Sequence, residues 1–269
     1  MKYYNIYDMH THSDDSFDGN QSCVLLCESA VQKGARGIAI TDHLDIDDKS
    51  LNVRNFVVNQ YIHTSRAKSA FSSDLEVIQG IELGQGIYRK ELSERIMEDI
   101  KYDFVLGAIH NLENEEDFYF LEFTKDNVKD LLTRYFNDIY ELVKWDKTDS
   151  LAHLTYPLRY IIGKYNINVN FDDYSDMIDE ILKKLIENKK AIELNVSSLN
   201  KYHNDFMPGI EIIKRYKELG GEYVTVGSDA HYSNGVCTDI DKAYDALSEC
   251  GFEKFTIYKN REPHLLPIV

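Results

Sequence analysis

Asp8-Met9-His10-Thr11-His12 sets two imidazoles at i and i+2 beside a short apolar run. On a strand this spacing turns both rings to one face, where they can share an ion. A pair of histidines is a weak sign by itself, but further pieces of the same chemistry recur along the chain. They are Asp18 in Ser16-Phe17-Asp18-Gly19, His43 in Thr41-Asp42-His43, Glu82 in Gly80-Ile81-Glu82, His110 in Ala108-Ile109-His110, His153 in Leu151-Ala152-His153, and Asp229 with His231 in Gly227-Ser228-Asp229-Ala230-His231. Neutral imidazole and carboxylate suit zinc, manganese or iron, and no cysteine stands in any of these pieces. Six histidines and three acids exceed what one tetrahedral ion uses, so the set implies two or three divalent transition-metal ions. Such ions make hydroxide from water at neutral pH and neutralise charge growing on oxygens, which is the chemistry of phosphate or amide hydrolysis.

The elements that must position these residues follow from hydrophobic periodicity and from glycine and proline punctuation. Strands are expected at 4–7, 37–40, 76–81, 104–109, 150–152, 191–196 and 223–226, and a last one at 255–258. Helices are expected at 23–32, 56–70, 92–100, 125–145, 175–186, 208–219 and 239–248. In the long helix, Val128, Leu131, Leu132, Tyr135, Ile139, Leu142 and Val143 share one stripe and read as core. About seven strand–helix alternations, with strands lacking strict alternation of polar residues, favour a parallel sheet closed into a barrel. An open doubly wound sheet is the rival; it would need a glycine-rich turn after the first strand, where His10-Thr11-His12-Ser13 stands instead. In the barrel, six histidines with Glu82 and Asp229 fall at the carboxyl ends of strands, and those ends share one face. Only His63, His203 and His264 of the nine histidines lie elsewhere.

The 269 residues suffice for a large core, and no linker or compositional break divides them, so residues 1–269 are expected to form a single α/β domain. A net charge of −16 opposes nucleic acid and anionic membranes. Bound cations would make one pocket locally positive and admit a small phosphate ester despite that charge. The start of the chain lacks the basic and apolar regions of a secretion signal, and no apolar run is long enough to span a bilayer, which points to the cytoplasm. Cys23, Cys27, Cys237 and Cys250 fit there as reduced thiols.

The motif set, in this order, resembles the PHP (polymerase and histidinol phosphatase) family over nearly the whole chain. The turn 16–19, the stretch 153–160 and the segment 193–198 are similar to its histidinol-phosphatase branch. The resemblance implies a distorted (β/α)7 barrel and a phosphomonoesterase of histidine biosynthesis acting on L-histidinol phosphate. The alternative is a PHP phosphoesterase for nucleotides or another small phosphate ester, and a non-catalytic, partner-binding relic is disfavoured because each ligand position keeps a competent side chain. By the same resemblance, His10, His12, Glu82 and Asp229 would hold a first ion. Glu82, His110 and His153 would hold a second, with Glu82 bridging, and Asp18, His43 and His231 a third. Many relatives have histidine where this chain has Asp18, a departure shared with the histidinol-phosphatase branch that bears on the metal preference of the third site. A metal-bridging hydroxide would attack phosphorus, with Glu82, Asp229 and Arg159 as the catalytic set. Arg159, one turn beyond His153, is the expected phosphate grip, joined by Lys201 and His203 as further substrate contacts. Asp8 and Asp42 are read either as partners orienting a ligand imidazole or as acids bonded to backbone. Asp45, Asp47 and Asp48 read as a solvated run that could meet a cationic part of the substrate, and 113–117 as a solvated acidic loop.

Overall fold

Strand β1 (Tyr7–Thr11) is buried along its whole length and carries His10 within it, beginning three residues later than the apolar run 4–7 suggests. The shift has a simple cause. In a strand buried on both faces, polar side chains that serve an internal site look like a strand end to any reading based on hydrophobicity. The computed structural model describes residues 2–199, 201 and 203–269. After β1 come α1 (Cys23–Gln32), β2 (Gly37–Ile40), β3 (His43–Asp45), α2 (Val53–Ala70), β4 (Glu76–Gly84), α3 (Lys90–Asp99), β5 (Phe104–Ala108) and α4 (Val128–Trp145). The second half holds β6 (Ser150–Leu151), α5 (Leu158–Ile161), α6 (Ser175–Glu187), β7 (Ala191–Asn195), α7 (Ile210–Glu218), β8 (Val224–Gly227), α8 (Ile240–Glu249), β9 (Lys254–Lys259) and β10 (Glu262–Pro267).

The parallel order is β1-β2-β4-β5-β6-β7-β8, with β3 also on β4. Gly37 to Ile40 pair with Glu76 to Gln79, and His43 to Asp45 with Glu82 to Gly84, so β2 and β3 are two lengths of one stave broken at Thr41-Asp42. The ring closes where Asp229 N–H donates to the His10 carbonyl at 2.8 Å and His12 N–H to that of Ala230 at 2.9 Å. The result is the expected distorted (β/α)7 barrel. Its two mouths differ. The antiparallel hairpin β9–β10 covers the end where strands begin, with Phe255 tilted against Tyr7 and Tyr258 stacked on Phe104. His264 therefore lies on a strand and not in a loop. The opposite mouth receives the residues singled out from sequence.

Helix α4 buries the stripe expected of it, with Phe136 added. Leu132 has no exposed surface. Leu132→Ala is expected to lower the unfolding free energy by about 2–5 kcal/mol, measured by urea titration, because the neighbours of a buried leucine collapse only partly into the space it leaves. No helix among the described residues is long and apolar enough to cross a membrane.

Candidate metal centre

Glu82, near the end of β4, has no exposed surface and stands at the middle of the open mouth. Its Oε2 lies 3.3 Å from His10 Nε2, 3.6 Å from His12 Nε2 and 2.8 Å from His43 Nδ1. Its Oε1 lies 2.9 Å from His153 Nε2 and 3.3 Å from His110 Nε2, and those two nitrogens are 3.4 Å apart. Asp229 Oδ1 closes the first group at 3.3 Å from His12 Nε2 and 3.8 Å from His10 Nε2. Asp229 takes a left-handed φ of 53°, which aspartate tolerates better than most residues, in the turn that leaves β8. A third group forms outside it, with His231 Nε2 3.1 Å from Asp18 Oδ2 and 3.3 Å from His43 Nε2. All nine side chains expected from sequence thus converge.

Whether they suit a cation is decided by their unsatisfied atoms. His10 Nε2, His12 Nε2, His43 Nδ1 and Glu82 Oε2 are buried and lack a hydrogen bond of acceptable geometry, although they crowd one another. Buried polar atoms are nearly always satisfied, and a ring of lone pairs pointing at one space is satisfied by a positive ion. Protons take that part when no ion is bound. Burial pulls the His10 and His110 imidazoles down, but Glu82 beside both, with Glu193 and Asp229 at His10 and Asp45 at His110, outweighs it and holds them well above the ordinary value. The same balance brings His43 up to about 9. Glu82 and Asp229, pushed up by burial, are held well below the carboxylate range by the surrounding imidazoles. His12 is driven well below, by burial first and then by His43 and His231.

The far sides of the rings are held as well. His110 Nδ1 lies 3.0 Å from Asp45 Oδ1, and His231 Nδ1 donates to the Asp229 carbonyl at 3.0 Å. His12 Nδ1 meets Ser16 Oγ at 3.3 Å, and that hydroxyl donates to Asp42 Oδ1 at 2.9 Å. Each contact keeps the proton on Nδ1 and leaves Nε2 free to ligate. Asp45 is therefore no part of a solvated run. Asp47 accepts from Asn111 and Asp48 from Ser50. Asp8 accepts from the backbone N–H groups of Ser228 and Cys237, so of its two readings the structure has the backbone one; it pins the turn that carries Asp229. Glu193, to which sequence reasoning assigned no role, touches His10 Nδ1 at 2.7 Å. A charged residue inside the apolar run Ala191 to Leu194 was the available signal.

The groups open into a cavity of about 750 Å³. Arg159 and Lys201 line it, and His203 does not; that imidazole faces a second cavity with Thr155 and Asp205. Arg159 donates to Ser197 Oγ at 2.7 Å, Ser197 Oγ donates to Asp229 Oδ2 at 3.0 Å, and Arg159 Nε is buried without a hydrogen-bond partner among the described residues. Asp117 departs from the solvated-loop reading by entering the wall, where it accepts from Tyr156 Oη at 3.1 Å. Phe17, Tyr119, Phe120 and Tyr232 stand exposed around the rim.

Comparison with known proteins places these observations. Residues 8–197 match the model of the PHP domain. A probable histidinol-phosphatase of Clostridium acetobutylicum is 31% identical over 255 residues, covering 92% of this chain and 95% of the relative. A probable histidinol-phosphatase of Thermotoga maritima is 30% identical over 251 residues, covering 93% and 94%. The crystal structure of histidinol phosphate phosphatase from Lactococcus lactis, complexed with zinc, L-histidinol and phosphate, superposes with a TM-score of 0.81 at 22% identity, over 96% of this chain and 98% of that one.

Proposed function

The chain belongs to the PHP domain family, and on that premise we propose that it is a metal-dependent phosphomonoesterase acting on L-histidinol phosphate. The observation that carries the reading is the convergence of imidazole nitrogens on both oxygens of Glu82, those at Oε2 without a hydrogen bond of acceptable geometry, with the Arg159 guanidinium in the same cavity. Two or three divalent ions would be held by His10, His12, Glu82 and Asp229, by Glu82, His110 and His153, and by Asp18, His43 and His231. When bound, such ions activate water as a nucleophile and stabilise the charge developing on phosphoryl oxygens. The chain's own part is positional. Arg159, held by Ser197 and with Nε unpaired among the described residues, offers planar donors to a phosphate without having to be ordered first. Lys201 adds positive charge at the cavity wall. The rim aromatics offer faces to an imidazole, and Asp117 offers a carboxylate to the ammonium that histidinol carries. We assign the activity to the cytoplasm and to residues 1–269 acting as one unit, with a small phosphate ester and not nucleic acid as partner.

A phosphate-release panel tests the substrate. Protein loaded with manganese or zinc should hydrolyse L-histidinol phosphate far faster than nucleotides or sugar phosphates; an even response would remove the substrate assignment while leaving the metal centre. Arg159→Ala is expected to lower kcat/KM by about 10²–10³-fold at unchanged metal content, the range for loss of one preorganised electrostatic contact. Arg159→Lys should recover only part of that, since a point charge cannot bond in two places at once.

A further inference from the structure

Glu193 sits on β7 with 1% of its surface exposed. Its Oε1 meets His10 Nδ1 at 2.7 Å, and its Oε2 accepts from the His153 backbone N–H at 2.8 Å and from Asn195 Nδ2 at 3.2 Å. His10 comes from β1 and belongs to the ligand group on Glu82 Oε2, whereas His153 follows β6 and belongs to the group on Oε1. The approach requires Gly227, because a Cβ at that position would come within 2.5 Å of Glu193 Oε1 and overlap the His10 side chain. We infer that Glu193 is a positioning residue that sets the first and second ion sites together, through one carboxylate joined to both strand ends.

The hydrogen-bond inventory makes the claim specific. With His10 protonated on Nδ1, all of these neighbours are N–H donors, so both oxygens must accept. Glutamine has the same shape but turns an amide NH₂ toward one of the two strand ends, setting donor against donor, and offers the other a neutral acceptor in place of a charged one. Asp45, by comparison, reaches a ligand only through His110 Nδ1.

The inference rests on the metal reading, and its test separates the two. Full-length wild type, Glu193→Gln, Glu193→Asp and Asp45→Asn are loaded with manganese or zinc and dialysed against graded concentrations of a competing chelator, and metal per chain is measured. The expected result is that Glu193→Gln gives up two ions at chelator concentrations about 10- to 100-fold lower than wild type, the usual range for loss of an outer-shell partner. Asp45→Asn and the shorter Glu193→Asp should each loosen one. Far-UV circular dichroism of metal-free Glu193→Gln should match that of metal-free wild type, so that its ions are lost from a folded chain. Release of all ions at the wild-type concentration, or loosening of one ion only by Glu193→Gln, would overturn the inference. Should metal-free Glu193→Gln not fold, Glu193→Asp decides: loosening of its ion in a folded chain supports the inference, and retention at the wild-type chelator concentration overturns it. Wild type that takes up no metal would instead overturn the reading of the centre itself.

Discussion

Glu82→Gln is expected to reduce phosphate release by at least about 10³-fold, equivalent to roughly 4 kcal/mol of transition-state stabilisation. The size follows from position. The two Glu82 oxygens face different ligand groups, the Oε2 side with His10, His12 and His43 and the Oε1 side with His110 and His153. Glutamine removes the charge from both and the acceptor from one, so neither ion would be held as before. Metal per chain, measured by elemental analysis, should fall together with activity. The fold should survive, because the substitution keeps the volume and removes a buried charge from among imidazoles that can then stay neutral; far-UV circular dichroism checks this. Asp229→Ala should act in the same direction through the first group alone. Wild-type turnover in the Glu82 variant at full metal content would mean that this carboxylate does not bridge the centre.

Stripping the ions should change both the stability of the protein and the sign of its pH dependence. An ion present at a thousand times its dissociation constant stabilises the folded state by about 4 kcal/mol, so chelation should lower the melting temperature by on the order of 10 °C for a chain of this size. In the stripped protein, His10 and His110 are held well above the ordinary imidazole value of 6.5 and His43 near 9, against burial, by Glu82 and its neighbouring acids. Above pH 6.5 the folded state therefore keeps protons that the unfolded chain has released. Stability conferred by these groups is complete below that pH and is lost as pH rises toward 9. His12, pushed well below its ordinary value mainly by burial and then by His43 and His231, acts oppositely but only on the acid side of the window. The loaded protein should show the reverse trend between pH 6.5 and 9, because ligation needs neutral imidazoles and gains as protons leave. Melting curves of both forms across that range test this, and a stripped protein whose stability stays flat or rises would contradict the proton-for-metal exchange.

Much of this was legible along the chain. The order of strands and helices, the amphipathic stripe of α4 and the nine converging side chains follow from periodicity and from residue types repeated at strand ends, because such features are local and a few residues display them. What escaped was of another kind. Strand β1 was placed too early, since its polar residues point into a site and imitate a turn. The short strand β3 and the edge strand β10 carry too little buried apolar surface to signal themselves, and their pairing depends on β4 and β9. Asp45 looked like one acid in an exposed run, and only its distance to His110 across the barrel mouth gives it a task. Glu193 is the plainest case. Its neighbours in sequence are apolar, while the two strand ends it joins lie 183 and 40 residues away, at His10 and His153.

The sequence by itself therefore determined which residues can ligate cations and the number of staves in the barrel that presents them, because side-chain chemistry and hydrophobic period are properties of the chain. The tertiary structure alone decided which carboxylates face which rings and on which nitrogen each imidazole keeps its proton. It also decided that one glutamate reaches two ligand groups. Those matters depend on distances of about 3 Å between residues that only the closure of the barrel brings together.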